Sequence, residues 1–255
     1  MSGTDRPAVL ITGAARRLGA EMARRFAADG WHVVVHYRSS TDEAEALASG
    51  LESAETVRFD LTCRNEIAAT VRDLSARLPD WRALVNCASL FELDTAEALD
   101  HATFARGLEA NAEGPALLAQ AFLAHARAPA GRRVINVLDQ KLANMNPDFF
   151  SYTMSKAALA SATEMLAMAR QGTADRIYGL CPGAMLPSFD QVDTEHEASG
   201  RMNLLQRLTD PAELADAALF LASGAAANGQ VLYVDSGQHL MQQDRDVLFL
   251  ARGEH

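Results

Sequence analysis

The sequence predicts an α/β fold, a doubly wound parallel sheet with helices on both faces, and three observations carry that expectation. Short apolar runs alternate with amphipathic stretches along the whole chain, as βαβ units require. A glycine-bearing turn lies between the first run and the first helical stretch. No Pro/Ser-rich linker or internal repeat divides the chain, so one domain is expected over residues 1–255.

The elements follow in order. The run at 8–12 (AVLIT) is a short strand, and 18–28 a helix with Leu18, Met22 and Phe26 on one stripe. Gly30 stands just past its end, where a left-handed terminator is favoured. WHVVVHY (31–37) is a strand, 42–51 an acidic helix, TVRF (56–59) a strand and 64–78 a helix. ALVN (83–86) is a strand, and a long helical stretch covers about 96–127, with an interruption expected near Gly114-Pro115. RVINVL (133–138) is a strand, 152–170 a helix, RIYGL (176–180) a strand, 211–222 a helix and QVLYV (230–234) a last strand. Right-handed crossovers place helices on both faces. The segment at about 183–209 lacks periodicity and contains Pro182-Gly183 at its edge, Pro187 and Gly200. It follows the carboxyl end of a strand, where open α/β sheets bind ligands, and is expected to be a substrate lid.

Composition narrows the function. With 49% apolar and 22% charged residues the chain is expected to be soluble and globular. Its 33 acids against 23 bases give a formal charge of −10, which argues against nucleic-acid and anionic-membrane partners. MSGTDRPAVLITG has too short an apolar stretch for a signal peptide, and no window reaches a membrane span. Cys63, Cys87 and Cys181 are far apart and not in a metal spacing, so they read as reduced, buried thiols in a cytoplasmic protein, with no metal site.

The turn Thr12-Gly13-Ala14-Ala15-Arg16-Arg17-Leu18-Gly19 follows a strand and opens a helix, the context in which backbone approaches a pyrophosphate at a helix N-terminus. Arg17 occupies the middle-glycine position of the usual three. A cation at a helix N-terminus is electrostatically disfavoured unless an anion binds there. An acid at the end of the second strand would select NAD. The sequence instead reads His36-Tyr37-Arg38-Ser39-Ser40, and Arg38 beside hydroxyls, with Arg16 as a second cation, suits a 2′-phosphate. NADP(H) is therefore the expected cofactor. Each arginine alone also reads as a solvated surface side chain.

Tyr152 and Lys156 stand four apart and share one helical face. A Lys ammonium near a phenol is expected to lower its pKa and make it a usable proton donor. Upstream, the apolar run RVINVLD ends on Asp139, for which Lys141 is the one obvious nearby salt-bridge partner. The plain alternative for Asp139 is a hydrogen-bond acceptor in a turn.

These features together resemble the short-chain dehydrogenase/reductase family over essentially the whole chain. The matching residues are TGAARRLG, Asp60-Leu61, Asn86-Cys87-Ala88-Ser89, Asn111, Tyr152 with Lys156, Pro182-Gly183 and VLYVDSG. The resemblance implies a Rossmann-type, seven-stranded sheet. It implies a cofactor site that includes Gly13, Arg16, Arg17, Leu18, Gly19, Tyr37, Arg38, Ser39, Asp60 by the adenine, Leu61, Asn86, Ala88, Pro182 and Gly183. It further implies that Asn111 orders a water on a proton relay and that Lys156, next to Tyr152, holds the nicotinamide ribose. Family members are usually tetramers or dimers built on the long helices of Asn111 and Tyr152, and the tail DVLFLARGEH is a candidate to pack on a neighbouring subunit.

The departures from the family pattern narrow this further. Asp139 replaces the usual serine, Arg17 the middle glycine, and NCAS, with Phe91 two residues on, the usual N-A-G. This set resembles the pteridine reductase and dihydromonapterin reductase branch, whose catalytic trio is Asp, Tyr and Lys. The implied substrate contacts are Ser89, Phe91 (stacking on a pterin), Asp139, Tyr152 and, at the start of the lid, Met185. Phe91 equally reads as a core residue and Ser89 as a turn residue. An ionised Asp139 would repel a ketone's developing oxyanion, whereas a carboxyl can help protonate a ring nitrogen, so Asp139 fits reduction of a C=N bond. The expected function is NADPH-dependent reduction of dihydropterins and possibly dihydrofolate. The competing readings are an NADP(H)-dependent carbonyl reductase of the same family and a non-catalytic NADP(H)-binding sensor.

Overall fold

A computed structural model describes residues 6–187 and 190–254. Seven parallel strands form one sheet: β1 (Ala8–Ile11), β2 (His32–Tyr37), β3 (Ala54–Arg58), β4 (Trp81–Asn86), β5 (Arg133–Val137), β6 (Arg176–Pro182) and β7 (Val231–Val234). Their spatial order is β3-β2-β1-β4-β5-β6-β7. β1 pairs with β2 on one side and β4 on the other, so the winding reverses at β1 and a crevice opens beyond its carboxyl end.

Side chains alternate across the sheet. Val9 and Ile11 of β1 join one core with Met22, Phe26, Leu214 and Leu221, contributed by α1 (Arg17–Ala28) and a later helix at Pro211–Ser223. Ala8 and Leu10 face the other core, with Val71 and Leu74 of α3 (Arg64–Arg77) and Leu118 and Phe122 of a helix at Gly114–His125. The remaining early helix, α2 (Thr41–Ser49), flanks β2 and β3. Trp81 and Phe122 meet edge-on at 4.9 Å, both fully buried. Burial of each contributes about 2–3 kcal/mol. Gly30, at φ +84°, ends α1 as expected.

Three elements differ from the sequence expectation. The predicted 96–127 helix is α4 (His101–Leu108), a π turn at Glu109–Glu113 and α5 (Gly114–His125). The break thus falls before Gly114-Pro115 rather than at it, because Pro115 sits in the first turn of α5, where its missing N–H is harmless. Gly114 is required by close approach, since a Cβ there would lie 2.3 Å from the Leu61 carbonyl oxygen. After α6 (Phe150–Met168), the lid segment contains a helix, α7 (Asp193–Gly200), whose polar sequence carries little periodicity. Ser188 and Phe189 of that segment lie outside the described residues, as do residues 1–5 and 255. After α8 (Pro211–Ser223), the tail forms α9 (Val247–Ala251) and packs on its own chain, with Leu248 and Phe249 buried against Phe149. Within its own chain, this stretch meets apolar surface on Phe91, Phe149 and Tyr152. Among the described residues no helix is long and apolar enough to cross a membrane.

Candidate active site

The turn after β1 is held from beneath. Thr12 Oγ1 accepts the backbone N–H groups of Cys87 (2.9 Å) and Ala88 (3.0 Å), clamping the ends of β1 and β4 together. Gly13 has φ +66°, and a Cβ there would stand 3.0 Å from the Ala88 Cα. A Cβ on Gly19 would stand 2.4 Å from the Gly13 carbonyl oxygen. Arg17 adopts φ +54°, a left-handed conformation that a glycine takes freely and an arginine at a cost of about 1–2 kcal/mol. Its Nη2 donates to the Pro187 carbonyl at 2.7 Å, joining the turn to the segment that follows β6.

Beyond this turn lies a groove of about 410 Å³ lined by Gly13, Arg16, Arg17, Leu18, Gly19, Tyr37, Arg38, Ser39, Asp60, Leu61 and Ala88. Arg16 stands 3.6 Å from Glu43. Asp60 accepts the N–H and hydroxyl of Thr62, and these bonds hold its carboxyl below the usual range. Asn86 is not brought to the groove. It is buried and donates to Asn136 Oδ1 (2.8 Å), whose own amide donates to Thr163, so it ties β4 to β5 and α6.

A second cavity of about 390 Å³ adjoins the first and shares Arg17, Leu18, Cys87 and Ser89 with it. Phe91, Asp139, Tyr152, Lys156, Pro182, Gly183 and Met185 line it. Gly183 is held close to β7's exit, since a Cβ there would stand 2.8 Å from Asp235. The Tyr152 hydroxyl donates to Asp139 Oδ2 at 2.7 Å, while Asp139 Oδ1 accepts the Lys141 N–H at 2.8 Å and caps the short turn Gln140–Ala143. Asp139 is therefore both the turn acceptor and the partner of Tyr152. Lys156 Nζ donates to the Val137 carbonyl at 2.8 Å and lies 5.7 Å from the Tyr152 ring centre.

The electrostatics correct one expectation. Burial pushes the Tyr152 phenol well above its ordinary pKa, and the neighbouring Asp139 carboxylate adds to the rise, so the net shift is upward rather than the expected lowering. Burial also raises the Asp139 carboxyl, against the opposing pull of the Lys141 N–H, the Tyr152 hydroxyl and Lys156. Cys87 and Cys181 are pushed up to about 11 and about 12, again by burial first, and are poor nucleophiles.

Phe91 stacks on Phe149 (4.2 Å) and meets Tyr152 edge-on (4.7 Å), so it is at once an edge of the core and a wall of the cavity. Asn111, in the π turn, is not among the residues that line either cavity. Its amide exchanges two hydrogen bonds with Leu90 and donates to Ser155, which fixes the loop that carries Ser89 and Phe91.

A short-chain dehydrogenase family model, described as enoyl-(acyl carrier protein) reductase, matches residues 13–239. The chain belongs to the short-chain dehydrogenase/reductase family. Among solved structures it is similar to the FolM alternative dihydrofolate reductase 1 from Brucella canis, complexed with NADP. That protein is 34% identical, with a TM-score of 0.85, over 93% of this chain and 95% of that one. Pteridine reductase 1 of Leishmania tarentolae is 28% identical over 92% of this chain and 96% of its own. An NAD-dependent glycerol dehydrogenase of Listeria innocua is also 28% identical, over 92% and 94%. The family's oxidoreductase chemistry thus holds for this chain, while its relatives differ in substrate.

Several residues at this short-chain dehydrogenase/reductase's site carried no local signal in the sequence. Asn136, His196, Gln238 and Asp246 reach their places through tertiary packing alone. His36 read only as a strand residue. It is buried, its Nδ1 accepts the Gly13 N–H (3.0 Å) and its Nε2–H donates to the Phe59 carbonyl (3.0 Å), so it must stay neutral to hold the turn. Burial lowers its pKa to about 4 from 6.5. Above pH 6.5 both folded and unfolded chains hold it neutral; as the pH falls from 6.5 towards 4, only the unfolded chain takes the proton. Stability is therefore lost on acidification across that window, by about 3 kcal/mol. Urea unfolding at stepped pH is expected to show this slope, and His36→Asn to flatten it.

Proposed function

We propose that this short-chain dehydrogenase/reductase is an NADPH-dependent reductase of pteridines, acting on dihydropterins such as dihydromonapterin and extending to dihydrofolate. The observation that carries the reading is the Tyr152–Asp139 hydrogen bond on the wall of the second cavity. A carboxyl with raised proton affinity, bonded to a phenol that stays neutral, is suited to protonate a ring nitrogen. The 34% identity to an alternative dihydrofolate reductase supports it.

The groove fits NADP(H). The glycine positions at 13 and 19 leave backbone exposed at the N-terminus of α1, and Arg16, Arg17 and Arg38 line it without an acid at the end of β2. Ser39, Tyr37, Leu18, Leu61, Ala88, Pro182 and Gly183 would complete the hold, with Asp60 at the adenine end and Lys156 on the nicotinamide ribose. The bound cofactor supplies the hydride. Asp139 holds the proton for the substrate nitrogen, and the Tyr152 hydroxyl keeps its carboxyl oriented and shares that proton. When the proton leaves, the Lys141 N–H and the Lys156 charge stabilise the carboxylate. Phe91 offers a ring face to a bicyclic substrate, Ser89, Arg17 and Met185 shape its edge, and residues 183–209 act as the lid. Asn111 contributes by fixing the Leu90 loop. Assembly as a homotetramer or homodimer in the cytoplasm belongs to this reading. The exposed Met154, Met165 and Met168 of α6 support it.

One observation favours a second reading, an NADP(H)-dependent carbonyl reductase. The raised proton affinity of Asp139 lets it act as a neutral donor, which removes the repulsion of an oxyanion. NADPH oxidation followed side by side with dihydrobiopterin, dihydromonapterin and a β-ketoester separates the readings. Turnover of the pterins is expected; turnover of the ketoester alone, or tight NADPH binding without turnover, overturns the proposal.

A further inference from the structure

Lys141 follows Asp139 by two residues, yet its ammonium makes its close contacts elsewhere. The buried Nζ donates to the Asp148 carbonyl and lies 3.5 Å from Asp246 Oδ2, on the segment entering α9. Arg245, the next cation on that segment, is diverted likewise, with Nε 3.1 and 2.9 Å from the two Asp148 oxygens. Lys156, the third cation nearby, donates to the Val137 carbonyl. Among the described residues, Asp139 is thus left with two hydrogen-bond donors, the Tyr152 hydroxyl and the Lys141 backbone N–H, and no ion-pair partner.

We propose that Asp246 is a positioning residue: by holding Lys141 away and setting its own charge beside the same cavity, it keeps Asp139 in the protonated, donating form. The inference rests on Asp139 being the proton donor of the proposed reduction. Asp139, Lys141 and Asp246 line one cavity although Asp246 is more than a hundred residues away in sequence. The other titratable or charged groups around Asp139 are Tyr152 and Lys156 of α6, Cys181 of β6, Cys87 after β4, and Arg17 and His196 across the cavity. None of these is set to replace Asp246: the cysteines stay thiols, and the lysine is bonded to backbone. Burial raises the proton affinity of Asp139, and the Asp246 charge adds to it. This assigns the C-terminal tail a part in proton delivery.

The test is the pH dependence of kcat/KM for NADPH oxidation with dihydrobiopterin. Activity that needs a protonated Asp139 falls as pH rises through its pKa. Asp246→Asn, which preserves the acceptor that caps α9 at the Leu248 N–H, removes a negative charge and frees Lys141. The alkaline limb is expected to move down by about one pH unit, a tenfold loss above the limb. Lys141→Met is expected to move it up. A limb that stays in place in Asp246→Asn, or moves up, overturns the inference. Should Lys141→Met not fold, Asp246→Asn decides alone, with unchanged NADPH affinity as the check on its fold. Titration of the ¹³C-labelled Asp139 carboxyl in the NADP-bound enzyme must show the same shift. Absence of dihydropterin turnover in the unaltered enzyme would overturn the proposed function, and the carboxyl titration would still decide the role of Asp246.

Discussion

Asp139→Ala is expected to lower dihydropterin turnover by about 10²–10⁴-fold, the contribution of a positioned general acid, while NADPH binds nearly as before. The reasoning is local. Asp139 lines the second cavity and is not among the residues that line the cofactor groove. Truncation removes the acceptor of the Tyr152 hydroxyl and the cap of the Gln140–Ala143 turn, and leaves the glycine turn and its arginines untouched. Asp139→Ser separates chemistry from capping, because a serine can cap the turn but cannot act as an acid. It is expected to remain poor with dihydropterins. Single-turnover rates and NADPH titration by fluorescence quenching measure the two effects. Full pterin turnover in Asp139→Ala would remove Asp139 from the mechanism.

Gly19→Ala is expected to destabilise the protein by about 1–3 kcal/mol and to weaken NADPH binding. Glycine to alanine within a helix ordinarily stabilises by up to about 1 kcal/mol, so the expected sign is reversed here. The reason is that the new Cβ would fall 2.4 Å from the Gly13 carbonyl oxygen and 2.9 Å from the Ala14 Cα, both backbone atoms of the cofactor turn. The turn must move, and Gly13 cannot move freely because its N–H is held by His36 and its Cα packs near Ala88. Gly107→Ala in α4 is the control, since its Cβ would meet only the Ser151 carbonyl oxygen, at an ordinary 3.8 Å. Urea unfolding and NADPH titration of both variants check the contrast; equal behaviour would show that the close approach at Gly19 does not matter.

The strands and most helices were legible because burial on a sheet imposes a period that survives in any one stretch of chain. Gly30, Gly13 and Gly19 were legible because each is placed where a side chain or a right-handed backbone would not fit. The π turn at Glu109–Glu113 was not, because its extra residue per turn depends on α4 and α5 packing on different neighbours. Neither was α7, whose polar sequence leaves little pattern to read.

By itself, the sequence determined the parallel α/β sheet, the glycine turn, the cationic end of β2 and the placing of Tyr152 and Lys156 on one helical face, since each lies in a short, self-contained pattern; Asp139 joined that pair only through the family resemblance. Tertiary structure alone decided the electrostatic surroundings of that group. Burial sets the proton affinities of Asp139 and Tyr152, and Lys141 is claimed by Asp246 rather than by its near neighbour in sequence. The physical reason is that the energy of a charge depends on the solvent it loses and on the partners at hand, and both are assembled from strands, loops and a tail far apart in the chain.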